Sequence, residues 1–152
     1  MKMRKITIIF SYSVTIQKEL GWLGYYIGKN TTLNELCLGA CPRTTIDVGV
    51  ETFRIGLGLN KSIQNVELSL LDFPRDNIIF HMVDLFLKNN NILTEIVVDG
   101  CEFGAEGGRL LSSMLGECNS NKTLKNIKLA NNEIEVGQTI GIILALSMHP
   151  QL

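Results

Sequence analysis

The stretches Leu93-Thr-Glu-Ile-Val-Val-Asp-Gly-Cys101 and Leu124-Lys-Asn-Ile-Lys-Leu-Ala-Asn-Asn132 share one pattern. In both, aliphatic residues occupy the first, fourth and sixth positions, and cysteine or asparagine occupies the ninth. The pattern recurs, with substitutions, at 33–41 and 63–71, and a weaker copy begins at Met3. The starting residues 3, 33, 63, 93 and 124 lie 30 or 31 positions apart. A fixed period of this length predicts an array of stacked repeats.

Each repeat predicts one strand and one helix. The alternating aliphatics predict the strand, and apolar residues at helical spacing about seventeen positions after the first aliphatic predict the helix. The helix-face sets are Leu20/Leu23/Ile27, Val50/Phe53/Leu57, Phe80/Val83/Leu87, Leu111/Met114/Cys118 and Gly141/Leu144/Met148. The fourth set comes one residue late, which predicts an inserted residue between Cys101 and Leu111, and the fifth predicts a return to phase. Asparagines at 30, 60, 90 and 121 are predicted to form the return turn through side-chain to backbone hydrogen bonds.

These residues resemble a leucine-rich repeat array, and the long unit with a full helix is similar to the ribonuclease-inhibitor subtype. The resemblance covers residues 1–152 as one domain. It implies an α/β fold, a right-handed β-α solenoid of about five repeats bent into a horseshoe, with parallel strands on the concave side. In the family, Asn or Cys at the ninth position hydrogen-bonds the backbone. Ser11, Cys41, Leu71, Cys101 and Asn132 stand there in this chain, and Leu71 departs from the pattern.

The repeated strand aliphatics are predicted to be buried, and the residues between them to point to the concave face, because strand side chains alternate. The predicted buried pairs are Ile6/Ile8, Leu36/Leu38, Val66/Leu68, Ile96/Val98 and Ile127/Leu129. The predicted partner-binding residues are Glu35, Cys37, Asn65, Glu67, Ser69, Glu95, Val97, Asp99, Asn126 and Lys128. The centre of this set is acidic, and Arg4, Lys5, Lys125 and Lys128 lie toward its ends. Such a pattern favours a basic partner, and the alternative is a solvated face without a selected partner.

Composition restricts the classes of function. With 14 Lys+Arg against 15 Asp+Glu, the net charge of −1 gives no pull toward nucleic acid or an anionic membrane, so neither is expected as a partner. No apolar run is long enough for a transmembrane helix. The four cysteines lack CxxC spacing, which predicts no metal, no cofactor and a reduced, cytoplasmic protein. The basic start and apolar 6–10 also fit a secretory signal, but no cleavage site follows.

No nucleophile or phosphate-binding motif is present, so the chain is not expected to be an enzyme. The leading hypothesis is a module that binds a partner protein through its concave strands. Arrays of the resembled subtype include the Ran GTPase-activating protein, which uses an exposed Asn and Arg near its strand ends, and this is an alternative function. In this chain, Arg43 is the arginine in a comparable loop after a strand. A further alternative is the sensor repeat region of a NOD-like receptor. No capping repeat is visible, which predicts either part of a longer array or end-to-end self-association.

Overall fold

A computed structural model describes residues 4–9, 17–39, 48–69, 78–117 and 122–148. Strand and helix alternate five times along the chain, once in each predicted repeat. The elements are β1 (Lys5–Ile9), α1 (Gln17–Lys29), β2 (Glu35–Gly39), α2 (Val48–Leu59), β3 (Asn65–Ser69), α3 (Ile78–Asn89), β4 (Glu95–Asp99), α4 (Gly104–Glu117), β5 (Asn126–Lys128) and α5 (Val136–Ser147).

The strands form one parallel sheet in the order of the sequence, β1-β2-β3-β4-β5. Equivalent residues of successive repeats lie opposite each other. Lys5 pairs with Glu35, Glu35 with Asn65, Asn65 with Glu95, and Glu95 with Asn126. The sequence period therefore fixes the strand register, because each repeat returns the chain to the same position one strand further along. This confirms an open α/β arrangement of five strands and five helices that is consistent with a repeat solenoid.

The core lies between the sheet and the helices. The predicted strand pairs of the three central repeats are all buried, whereas Ile6/Ile8 and Ile127/Leu129 at the two ends are only partly buried against the core. The end strands each have one neighbouring strand instead of two, which explains the difference. Phe53 and Phe86 are the largest fully buried side chains in this core. No helix in the described part of the chain is long and apolar enough to cross a membrane.

The predicted helix faces are largely confirmed. Ile27, Phe53, Leu57, Val83, Leu87 and Leu111 are buried, and Leu20, Leu23 and Met114 pack partly against the core. The side chains of Val50, Phe80 and Cys118 lie outside the described residues. The prediction for the fifth repeat is wrong. Leu144 and Met148 are 61% and 74% exposed, and α5 instead buries Ile142 and Ala145.

The loops after β4 and β5 share part of their backbone conformation. Gly100 and Asn131, which are equivalent residues, have φ values of 61° and 55°. Glu102 and Glu133 are also equivalent and have φ values of 48° and 52°. The two loops differ at the next equivalent pair, where Gly104 has a φ of 55° and Glu135 a φ of −74°. In both repeats the buried helix face nevertheless stands at the same place, at Leu111 in α4 and at Ile142 in α5, which is one position later than predicted for α5.

Buried asparagines join neighbouring repeats at the turns before β3 and β4. The Asn60 side chain is fully buried, and its Nδ2 donates to the Ile27 and Asn30 carbonyls of the preceding repeat at 2.6 and 2.9 Å. Its Oδ1 accepts from the backbone N–H groups of Ser62 and Ile63 at 2.8 and 2.9 Å. Asn90 repeats this arrangement, with Nδ2 donating to the Ile63 carbonyl. The turn prediction is confirmed for positions 30, 60 and 90, and Asn121 lies outside the described residues.

The ninth position of the repeat also behaves as the resemblance implies where the structure describes it. Asn132 Nδ2 donates to the Val98 carbonyl at 2.8 Å, and its Oδ1 accepts from the Cys101 N–H at 2.8 Å. Cys101 is buried, and its thiol lies 3.7 Å from the Leu68 carbonyl. Ser11, Cys41 and Leu71 lie outside the described residues.

Helices α1 and α2 approach each other through glycines. A Cβ atom added at Gly24 would lie 2.9 Å from the backbone oxygens of Thr52 and Phe53, and one added at Gly56 would lie 2.8 Å from Gly24 Cα. Side chains larger than hydrogen at these positions would overlap the facing backbone. The first two helices therefore pack backbone against backbone, a feature that the repeat pattern did not predict.

Candidate protein-interaction surface

The face of the sheet opposite the helices, here called the open face, carries the strand residues between the buried aliphatics. On β2, β3 and β4 these residues are half-buried or exposed, while their neighbours along the strand are buried. The register arranges them in three rows across the strands, and all ten predicted partner-binding residues lie in them. The rows are Lys5-Glu35-Asn65-Glu95-Asn126, Thr7-Cys37-Glu67-Val97-Lys128 and Ile9-Gly39-Ser69-Asp99.

Ion pairs at the two ends of the open face neutralise much of the predicted acidic centre. Lys5 Nζ lies 3.2 Å from Glu35 Oε2, and Lys128 Nζ lies 2.7 Å from Glu95 Oε1. The hydrogen bond from Lys5 to Glu35 raises the pKa of that lysine. The basic ends and the acidic centre that the sequence showed separately are thus paired with each other. These pairs are solvent-exposed, so their main effect is on the charge of the surface and not on stability.

Glu67 is the central acidic residue of the open face. It is exposed, and no lysine or arginine of the described residues forms an ion pair with it. Its Oε2 accepts a hydrogen bond from the Cys37 thiol at 3.5 Å. The neighbouring residues Gly39 and Ser69 are small, which leaves room beside the carboxylate. The negative charge of the Glu67 carboxylate is therefore not compensated by an ion pair with a described residue and is accessible to a cationic group.

Asp99 is held by a residue that the sequence analysis did not select. Asn131 Nδ2 donates to Asp99 Oδ1 at 2.9 Å from the loop after β5. Thr94 Oγ1 similarly donates to Asn65 Oδ1 at 2.9 Å. Both contacts join adjacent repeats. Asn131 lies one position after the repeat equivalent of Asp99, and this closeness in the repeat was the signal that could have indicated the first contact. The open face is therefore partly ordered before any partner binds.

Cys37 is the described thiol on the open face, where it is half-buried. Burial, together with the Glu67 carboxylate, raises the pKa of the Cys37 thiol, and the nearby Lys5 opposes this shift. The thiol is thus kept in its neutral form at neutral pH. Thiolate is the reactive form of cysteine, so the arrangement lowers its reactivity.

We expect alkylation of Cys37 by iodoacetamide to be slow at pH 7 and to become faster as the pH rises above the usual pKa of a cysteine thiol. Replacing Glu67 with glutamine removes a negative charge, lowers the thiol pKa and should increase the rate at pH 8 about threefold. Mass spectrometry of peptides from samples taken over time gives the alkylation rate of each cysteine. Cys101, which is buried, serves as the internal reference and should not respond to the substitution. An unchanged Cys37 rate in the Glu67→Gln variant would contradict this account.

No group of three or more His, Cys, Asp or Glu side chains within the described ranges is arranged to hold a metal ion. Cys41 and Cys118, two of the four cysteines considered for zinc, lie outside those ranges. Arg43, on which the GTPase-activating hypothesis depended, also lies outside them. The described geometry therefore gives no support to that alternative.

A second exposed surface lies on α1. Trp22, Tyr25 and Tyr26 are more than half exposed and contact each other with ring centroids 5.5 to 6.3 Å apart. Lys29 Nζ lies 5.9 Å from the centre of the Tyr25 ring. In the structure the three rings pack on one another and remain exposed on the helical side.

Comparison with solved structures gives a chain of the same fold. The solved structure of "Leiomodin-1 Actin-Binding Site 2 (ABS2)" superposes with a TM-score of 0.65 and 21% sequence identity, covering 95% of this chain and 79% of that chain. This likeness supports a leucine-rich-repeat-like fold. By its name, that neighbour is an actin-binding site. No protein-family model matches the sequence, and no curated protein matches it.

Proposed function

We propose that this chain is a protein-interaction module that binds a partner protein through the open face of its sheet. The observation that carries the proposal is the shared register of five strands, which gathers the ten predicted residues into three ordered rows. A row of alternating polar groups on a rigid sheet suits recognition of a partner, because its geometry is fixed before binding. The buried aliphatics beneath it and the Asn60 and Asn90 bonds between repeats supply that rigidity.

The chemistry of the open face favours a basic segment of the partner. Glu35 and Glu95 already have lysine partners, and Asp99 is half-buried and accepts a hydrogen bond from the Asn131 amide. Glu67, at the centre, is the exposed carboxylate proposed for an incoming cation. Charged groups at the centre of an interface contribute to specificity and to the rate of association. A partner arginine or lysine is therefore proposed to contact Glu67, and the paired ends are proposed to fix the position of the flanking residues.

The proposal also includes the ribonuclease-inhibitor-like subtype, a horseshoe shape and a cytoplasmic location. Each repeat contains a helix of 12 to 14 residues, which supports the ribonuclease-inhibitor-like subtype with its full helices. In that arrangement the open face would be the concave side of a horseshoe, and a partner would be held by the arc as well as by the rows. Free cysteines, as seen for Cys37 and Cys101, agree with the proposed cytoplasmic location.

The superposed leiomodin structure suggests a first defined partner to test, because it is named for actin binding. Since 21% identity supports the fold alone, actin serves as a probe and other partners are sought by affinity capture with the native chain as bait. Actin and each partner recovered in stoichiometric amount are then purified, and their affinities for the chain are measured by calorimetry.

The test compares Glu67→Lys with a matched charge reversal elsewhere. Glu67→Lys should weaken partner binding about tenfold or more, because it replaces the central attraction with repulsion. Glu106 on α4 is also exposed, and its carboxylate pairs only with Arg109 of its own helix among described residues. Glu106→Lys changes the net charge equally and should leave the affinity within about twofold.

Circular dichroism establishes that both variants remain folded. Equal affinities of the Glu67→Lys and Glu106→Lys variants for a partner would contradict binding at the open face. Failure of the native chain to bind actin or to recover any stoichiometric partner would contradict the interaction-module proposal itself.

A further inference from the structure

The fifth repeat has one side without a neighbour in the described part of the chain. The outer edge of β5 pairs with no other strand there, and α5 packs against α4 on one side only. Within the array, the same side of each earlier repeat is covered by the next strand and helix. The side of β5 and α5 that faces away from the fourth repeat is called the end face below.

Helix α5 presents an apolar stripe on the end face. A Cβ atom added at Gly108 of α4 would lie 2.6 Å from Gln138 Cβ, and one added at Gly141 would lie 3.0 Å from Ser112 Oγ of α4, so residues 138 and 141 mark the side facing α4. The helical repeat of 3.6 residues places Val136, Ile140 and Ile143 on the opposite side. These three side chains are between 55% and 78% exposed. They occupy the position at which a following helix would pack.

The hydrophobic core is also open at the end face. A cavity of about 410 Å³ lies between the loop after β5 and α5, and its apolar lining includes Leu129, Ile134, Ile142 and Ile143. Within the array, each repeat contacts the next one through a strand edge, a helix side and the core between them. The end face offers the same three features as the free edge of β5, the apolar stripe of α5 and the cavity. Exposed apolar side chains grouped beside a free strand edge are typical of an interaction site.

Exposed charged residues stand before and after β5, and their signs differ between its two ends. Lys122 and Lys125 precede β5, and Glu133 and Glu135 follow it. All four are exposed, and none of them forms an ion pair with another described residue. One end of the face is therefore basic and the other is acidic. Two copies with antiparallel β5 strands would place the basic end of each beside the acidic end of the other.

Head-to-tail stacking is electrostatically less favourable. Continuing the register of the array would place Lys5 of a following copy opposite Asn126, and hence Arg4 opposite Lys125. Like charges directly opposite on adjacent strands are destabilising. A head-to-tail contact also leaves a free end on every copy and grows without closing.

From these observations we propose that the chain forms a two-fold symmetric dimer through the end face. The β5 strands pair antiparallel and extend the sheet across the symmetry axis. The Val136-Ile140-Ile143 stripes of the two α5 helices pack against each other, also antiparallel. Each contact occurs twice and the interface is self-complementary, as in a closed dimer with two-fold symmetry. The dimer leaves the open face of both copies available for a partner.

Sedimentation velocity of the native chain over a concentration series tests the proposal. The dissociation constant of the dimer should rise about 30-fold or more for Ile140→Glu, which buries a charge in the centre of the stripe. Leu144→Glu is the matched control because Leu144 is comparably exposed on the same helix but lies outside the stripe. Leu144→Glu should change the dissociation constant of the dimer by less than about threefold. A native chain that stays monomeric at every concentration, or a Leu144→Glu effect equal to that of Ile140→Glu, would overturn the proposal.

A charge exchange tests the antiparallel orientation. Lys125→Glu and Glu133→Lys should each weaken the dimer about tenfold, and their combination should restore it, because each reversed residue meets the other across the axis. Head-to-tail stacking would instead give species that grow with concentration beyond a dimer. Such growth, or a double variant weaker than both single variants, would overturn the two-fold arrangement.

Discussion

Replacing Gly56 with alanine is expected to lower the free energy of unfolding by about 3 kcal/mol. The new methyl group would overlap the Gly24 backbone, with Gly24 Cα at 2.8 Å and the Gly24 carbonyl oxygen nearer still. A flexible side chain could move away from such a contact, but helix backbone cannot, so α1 and α2 must separate. Separation weakens the packing of Ile27 and Phe53 beneath the two helices. The loss exceeds the helix-propensity gain of alanine over glycine, which is about 1 kcal/mol.

The control for this prediction is Gly21→Ala in the same pair of helices. A Cβ atom at Gly21 would lie 3.5 Å from Thr52 Cβ, an ordinary van der Waals contact. This substitution should therefore be neutral or stabilise the chain by up to about 1 kcal/mol. Urea unfolding followed by circular dichroism gives both values. A Gly56→Ala variant as stable as Gly21→Ala would show that the two helices do not pack at this distance.

The repeats contribute to stability mainly through contacts with their neighbours. Separation of α1 from α2 should therefore loosen the first repeat before the others. We expect the Gly56→Ala unfolding curve to become broader as well as shifted, since its first repeat would unfold separately. A shifted curve of unchanged slope would indicate that the array still unfolds as one unit.

Replacing Asn60 with alanine is expected to lower the free energy of unfolding by about 3 kcal/mol. The Asn60 amide donates to two carbonyls of the preceding repeat and accepts two backbone N–H groups of its own turn. The side chain is fully buried, so water cannot replace these bonds. Alanine would leave several buried polar backbone groups without partners at the junction between two repeats.

Asn30→Ala is the matched control because Asn30 occupies the same place in the preceding repeat. It accepts from the Thr32 and Leu33 N–H groups but is only half-buried. Its loss should lower the free energy of unfolding by about 1 kcal/mol. Asn60→Asp keeps the acceptor but loses the donor and adds a buried charge, so it should be at least as harmful as alanine. Similar stability of Asn30→Ala and Asn60→Ala would contradict the proposed importance of the inter-repeat bonds.

Much of the fold could be predicted from local pattern. The two-residue alternation around Leu36, Val66 and Ile96 determines which side of each strand is buried, and the 30-residue period determines the strand register. Both are repeated many times along the chain, so each copy supports the others. The turn asparagines were predictable for the same reason, since Asn30, Asn60 and Asn90 recur in phase.

The fifth helix shows where the repeat pattern becomes insufficient. The sequence of α5 is apolar on nearly every side, so Leu144 and Ile142 were equally plausible core residues by periodicity alone. In the structure α5 follows the phase of α4, and the loops before the two helices share positive φ values at the equivalent residues 102 and 133. Positive φ values at non-glycine residues leave little trace in the sequence, which is why the error arose there.

Some features of the open face likewise follow from the sequence, and others follow only from the tertiary structure. The sequence by itself determined which side chains share the open face, because strand alternation and repeat period are properties of the chain alone. Only the tertiary structure decided how their charges are distributed, pairing Lys5 with Glu35 and Lys128 with Glu95 and leaving Glu67 at the centre. It also decided the glycine contact of α1 with α2 and the exposure of the α5 stripe. Such features depend on distances between atoms of different repeats, to within an ångström or two, and a one-dimensional pattern does not specify those distances.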